Sequence, residues 1–291
     1  MGIAERDPHT GYLTTGHEWN GITELNTPVP RAVYFFLIAT ALFALGYWIL
    51  MPAWPLGVTY TKGLLGVDQR ATVSEDLQNA ALDRVTWTKR IDAEPFQEIQ
   101  ANPRLMDIVR QTGRPLFGDN CAACHGRNAT GQPGFPNLTA GSRIWGGDAD
   151  AIMETIRVGV NSTHPKTRTS QMLAFGRDQI LPPKDVDNVV SYVRSLSATA
   201  NDAPPQAIQA GEIIFGQSCA SCHGLDGKGN PDLGAPDLTD STWIYGGDRQ
   251  SIHDTIWGGR QGHMPAWESR LSPLDRKLLT LYVLDLKKAD P

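Results

Sequence analysis

The feature that most constrains this chain is a pentapeptide present twice, Cys121-Ala122-Ala123-Cys124-His125 and Cys219-Ala220-Ser221-Cys222-His223. Two thiols separated by two residues can bond to the two vinyl groups on one edge of a porphyrin. The adjoining histidine then lies beneath the ring, where its imidazole can bind the iron, and Cys-x-x-Cys-His is the attachment signature of c-type haem. A redox Cys-x-x-Cys or half of a zinc site has similar spacing. Zinc half-sites, however, usually stand about 15–20 residues apart, whereas Cys121 and Cys219 are 98 positions apart. Each copy is therefore expected to carry one covalent haem c, two irons in all, with attachment through Cys121, Cys124, Cys219 and Cys222 and with His125 and His223 as metal ligands. These are the chain's only four cysteines, so none remains for a structural disulfide.

A length of 291 residues has room for about two domains. The net charge of −5 and sequence pI near 5.8 argue against a nucleic-acid surface. Haem-c attachment takes place on the outer side of the energy-transducing membrane, normally the bacterial periplasm, and this compartment fixes the expected topology.

Residues 1–30 are polar, contain Pro28 and Pro30, and read as an irregular exposed cytoplasmic segment. Residues 32–51 carry no charge, and 20 residues rising about 1.5 Å each cross a hydrocarbon core of about 30 Å. A transmembrane helix within residues 31–52 follows, with Tyr34 near one end and Tyr47, Trp48 and Trp54 near the other, as interfacial aromatics require. A buried core helix and a cleaved secretory signal are the alternatives. A signal would have a shorter apolar region nearer the N-terminus and a small-residue cleavage site. Arg6 and Arg31 before the helix balance Lys62 and Arg70 after it, so basic residues do not orient it. The attachment motifs do, placing everything after the helix in the periplasm of a bacterial inner-membrane protein. Residues 53–102 read as a linker with an amphipathic helix over 74–91, capped by Ser74.

From about Pro103 one unit occurs twice. Phe117 falls on Phe215, Pro136 on Pro236, and the helical stretch after Pro183 on that after Pro273, with Tyr192 matching Tyr282. The repeats occupy 103–197 and 206–291, joined by a Pro-ending linker over 198–205. Each is expected to run helix, attachment motif, Gly/Pro-rich loop, middle helix, ligand loop and closing helix, giving an all-α fold of two tandem domains. Units of about 90 residues bury a limited core, which the macrocycle completes.

For the second ligand of each iron, the first repeat offers Met153, His164 and Met172, and the second offers His253, His263 and Met264. Met153 and His253 occupy one repeat position, which suits packing or surface rather than a common ligand. Met172 and Met264 also coincide, so Met172 is expected at the first iron and Met264 at the second. His/Met ligation raises the reduction potential, as suits an electron carrier. His164 lies in a stretch the second repeat lacks and is expected to be solvent-exposed. Pro136 and Pro236 are placed for their carbonyls to accept from Nδ1–H of His125 and His223, since such bonding fixes a ligating imidazole.

Each repeat resembles a class I cytochrome c domain. Together with GHEWNGITELNTPVPR before the helix, PAWPLGVTYTKGLLGVDQR after it and RQGHMPAW near the end, the chain resembles the dihaem subunit (subunit III) of cbb3-type cytochrome c oxidases. The resemblance implies an electron conduit from a soluble or membrane cytochrome c donor to a separate catalytic haem–copper subunit, alongside a monohaem cytochrome c subunit and membrane lipid. It implies no catalytic residue or oxygen-reducing site in this chain. A dihaem peroxidase, or the electron-transfer subunit of another membrane complex such as an alcohol dehydrogenase, are the competing functions. Charge differs between the repeats: residues 102–200 hold 11 basic and 8 acidic side chains, residues 201–291 hold 8 and 12. The acidic second repeat is thus the expected meeting place for a basic donor.

Overall fold

The computed structural model describes residues 5–140, 144–197 and 203–286. It divides into two compact units, Met1–Asp83 and Arg84–Pro291.

In the first unit, residues expected to be irregular form an antiparallel hairpin, β1 (Thr14–Trp19) and β2 (Ile22–Leu25). The cause is local. Asn20 and Gly21 adopt φ of 52° and 86°, and an Asn-Gly pair at positive φ is the turn whose twist matches paired strands. Helix α1 (Arg31–Leu50) follows, with no residue buried. The chain then returns to its end: the amides of Leu64 and Leu65 each donate to α1 carbonyls, Ile49 O and Leu50 O, at 3.0 Å.

Helix α2 (Gln69–Ala93) is longer than the expected 74–91 and is capped earlier. Asp68 Oδ1 accepts from the amides of Arg70 and Ala71 at 3.0 and 3.2 Å, so Asp68, not Ser74, takes the capping role. Nor is α2 amphipathic in use, because Val73, Leu77 and Leu82 are exposed and only Ile91 is buried.

The second unit is helical. Trp87, Ile91, Phe96 and Ile99, the last two in α3 (Phe96–Ala101), pack on Leu105, Met106 and Val109 of α4 (Pro103–Asn120) and on Leu278 and Leu281 of α11 (Pro273–Leu286). The first repeat continues with α5 (Ala122–His125), α6 (Ala149–Val158) and α7 (Pro183–Leu196). The second runs α8 (Pro205–Ser218), α9 (Ala220–His223), α10 (Arg249–Gly258) and α11. Asp148 and Asp248 cap α6 and α10, accepting from backbone amides two or three residues on. Most of the expected linker, residues 198–202, lies outside the described residues.

The packing exchanges the closing helices. α4 crosses α11 rather than α7, and α8 crosses α7. Both crossings are close: a Cβ on Gly113 would stand 2.7 Å from Tyr282 Cβ, and one on Gly211 would stand 2.8 Å from Tyr192 Cβ. The aromatic pairs Phe117–Tyr282 and Tyr192–Phe215 sit beside these contacts at 5.7 and 5.2 Å. Reciprocal backbone bonds stitch the crossover, Val160 with Met264 at 2.9 Å in both directions, and Met172 with Arg260 at 2.8 and 3.1 Å. The boundaries 103–197 and 206–291 delimit sequence repeats, but each core is built from both.

Candidate functional site

Each attachment motif begins where a helix ends. Cys121 closes α4 and Cys219 closes α8, with nearly the same backbone angles (φ −118°, ψ −32° and −31°). The amides of His125 and His223 both donate to the carbonyl of the first cysteine at 3.0 Å, winding the motif into one turn. Gly126 and Gly224, at φ 78° and 76°, then reverse the chain.

The following loop returns a carbonyl to each histidine. His125 Nδ1 lies 3.0 Å from Pro136 O, and His223 Nδ1 lies 3.1 Å from Pro236 O. A carbonyl can only accept, so Nδ1 carries the proton and Nε2 keeps the lone pair that iron requires. Gly131 and Gly229 make the approach possible, since a Cβ there would meet Phe135 O at 2.6 Å or Ala235 O at 2.5 Å. Asn137 and Asp237 brace the turn, each accepting from the amide and hydroxyl of the threonine two residues on. Burial pushes both imidazoles below their ordinary value, against the opposing pull of the proline carbonyls, so they are neutral and ligand-ready near pH 7.

Burial, reinforced by the neighbouring thiol, pushes Cys121 and Cys219 up to about 11. Burial thus works against the thiolate form on which a redox Cys-x-x-Cys relies. Among the described residues, no group of three or more His, Cys, Asp or Glu side chains is placed to hold a metal ion by itself. The donor set fits a macrocycle held by two thioethers and one imidazole, not an all-protein metal site.

Relative to the repeat-by-repeat expectation, the two methionines have changed places. Met264 packs on the core of Phe117, Ile152, Ile156, Trp267 and Leu279, against which Cys121 and Ala122 also lie. Met172 packs on the core of Phe175, Phe215, Val189 and Ile256, together with Cys219 and Ala220. Met153 and His253 belong to neither set. His253 stacks on Trp257 at 5.6 Å, and His263 is exposed.

His164 is not the exposed side chain expected; it is only 12% exposed. Its Nδ1 accepts from the Lys166 amide at 3.0 Å, so Nε2 bears the proton and donates to Glu268 at 2.7 Å. Arg157 joins Glu268 at 2.6 Å, binding the first repeat to the ligand loop of the second.

Sequence reasoning missed a further pair. Arg168 lies 5.1 Å over Trp145 and Arg260 lies 4.5 Å over Tyr245. Both arginines stand four residues before a candidate methionine, a repeat signal readable in the sequence. Arg168 Nε is buried without a hydrogen-bond partner among the described residues.

Residues 11–58 match the N-terminal domain of cytochrome oxidase-cbb3, FixP; residues 111–197 match cytochrome c; and residues 206–283 match cytochrome c oxidase, cbb3-type, subunit III. The cbb3-type cytochrome c oxidase subunit FixP of Bradyrhizobium sp. (strain ORS 278) is 45% identical over 283 residues, covering 97% of each chain. The chain belongs to the FixP/CcoP family of cbb3-type oxidase subunits. The subunit CcoP of Azospirillum sp. (strain B510) is 40% identical over 290 residues, again with 97% of each chain covered. As a member of this family the chain carries two haem c groups, takes part in respiratory electron transport, associates with the oxidase complex and is anchored in the membrane through its apolar helix. Bound haem c supplies a reversible one-electron iron couple; the residues above hold it and set its surroundings.

Proposed function

We propose that the chain passes electrons from a periplasmic cytochrome c donor to the catalytic haem–copper subunit of a cbb3-type oxidase, through two His/Met haems whose methionines are exchanged between the repeats. Met264 serves the iron bound by His125, and Met172 the iron bound by His223. The carrying observation is that each attachment core contains the methionine of the other repeat. With imidazole and thioether both ligating, neither iron would offer a vacancy for dioxygen or peroxide, so the chain would conduct and another subunit would reduce oxygen. The monohaem subunit of the complex is a further neighbour.

Residues 1–30 face the cytoplasm and the haem unit faces the periplasm, because haem c is attached there. Regrouping charge by packing supports donor docking on the second haem's side. Residues 172–196 and 205–260 hold 6 basic and 10 acidic side chains, against 9 and 8 for residues 102–160 and 264–286.

A carbon monoxide difference spectrum of the reduced chain tests the ligation. Two six-coordinate haems leave the spectrum nearly unchanged, whereas a full response from one haem would transfer the reading to a peroxidase-like site.

A further inference from the structure

An exposed apolar patch directly follows α1. No acidic side chain occurs between Glu24 and Asp68, so the acid-free run continues well beyond the end of the helix, with Lys62 its only charge after Arg31. Within that extension Leu56, Leu64 and Leu65 are exposed, Leu64 by 78%, and Val58 at the tip of the turn is exposed as well. Trp54 and Tyr60 lie among them.

The backbone fixes the height of this segment. Leu64 and Leu65 donate to Ile49 O and Leu50 O, filling carbonyls that the last turn of a helix otherwise leaves open. Trp54 is held at the same level by an edge-on contact with Trp48, ring centroids 4.9 Å apart. Gly63 permits the return, having φ +70° and no space for a side chain against Leu50 and Met51. Leu64 and Leu65 therefore stand beside the final turn of a helix that has no buried residue.

We propose that residues 52–66 form an interfacial membrane element whose leucines contact lipid acyl chains at the level where α1 leaves the bilayer. The occupant of this surface is lipid: aromatic residues, one lysine and the absence of carboxylates suit the boundary between headgroups and acyl chains. The element widens the anchor from one helix to a helix with a collar, which restrains its tilt. The proposal rests on α1 spanning the membrane.

The test uses the full-length chain with haem attached, in phosphatidylcholine vesicles, where the native cysteines are consumed and a nitroxide labels only an introduced one. Leu42→Cys, mid-helix, and Leu225→Cys, 79% exposed in the haem unit, serve as references. Accessibility to oxygen, which partitions into lipid, is compared with that to a water-soluble nickel chelate. The label at Leu64→Cys is expected about 5–10 Å below the headgroups, and Leu65→Cys repeats the measurement should one variant fold poorly. Accessibility at both positions equal to that at Leu225 would place the segment in water, and shielding from both reagents would bury it against protein. Either result overturns the proposal while leaving the anchor intact. A Leu42 label that behaves like Leu225 overturns the anchor, and the proposal with it.

Discussion

Gly113 of the first repeat presses against Tyr282 of the second so closely that a Cβ on the glycine would stand 2.7 Å from the tyrosine Cβ. No such contact links Gly113 to Tyr192, its own repeat's equivalent, which instead lies against Gly211 and Phe215. Gly113→Val is expected to destabilise the haem unit by about 1–3 kcal/mol through overpacking. Tyr282→Ala should relieve part of that loss in the double variant, whereas Tyr192→Ala should add independently. Urea unfolding of the four variants reads the coupling, and coupling to Tyr192 instead would uncross the helices.

The sequence told unevenly. Cys-x-x-Cys-His, the carbonyls of Pro136 and Pro236 and the apolar run of α1 are local signals, each complete within a few residues or one helix, and were legible. The Asn20-Gly21 turn was equally local but was hidden by the polar, proline-flanked composition around it. The exchange of closing helices was not legible, because duplicated halves present duplicated complementary faces: a helix that fits Gly113 and Phe117 also fits Gly211 and Phe215. Reading each repeat as its own domain therefore set Met172 beside Cys121, whereas its side chain packs on the core against which Cys219 lies. His164 looked like a loop residue because its partner, Glu268, stands 104 positions away.

Ile99 is fully buried between α3, α4 and α11. Ile99→Ala should cost about 2–5 kcal/mol of unfolding free energy, although the residue lies outside both cytochrome repeats. Denaturant titration checks this, and a loss below about 0.5 kcal/mol would mean that residues 84–102 are not part of the folded unit.

Glu268 is held at about 2, against an ordinary value of 4.5, by hydrogen bonds first from His164 and then from Arg157. A depressed carboxylate contributes stability that is present above its unfolded value and is lost as pH falls through its folded value. Stability should therefore decline between about pH 4.5 and 2, and Glu268→Gln should flatten that part of the curve. Midpoints of thermal unfolding across this range provide the measurement; parallel curves for the two proteins would remove Glu268 from the acid response.

Donor docking is best probed at Asp226 and Asp232, both exposed. Asp237 and Asp240 are less suitable: Asp237 accepts from the amide and hydroxyl of Thr239 at 2.7 and 2.6 Å and Asp240 from the Thr242 amide at 2.7 Å, whereas Asp226 accepts one longer bond, from the Lys228 amide at 3.2 Å. The double change to Asn should slow reduction by a basic cytochrome c at low ionic strength and have little effect at high salt. Equal rates at low salt would move the docking site elsewhere.

The exchanged ligation can be observed in the reduced, diamagnetic protein labelled with carbon-13 at methionine methyl groups. The Met264 methyl, identified by its loss in Met264→Leu, should be strongly shifted by the ring current of the haem that it ligates. Its nuclear Overhauser contacts should lead to the haem whose thioethers belong to Cys121 and Cys124. Contacts leading instead to the haem of Cys219 and Cys222 would contradict the exchange.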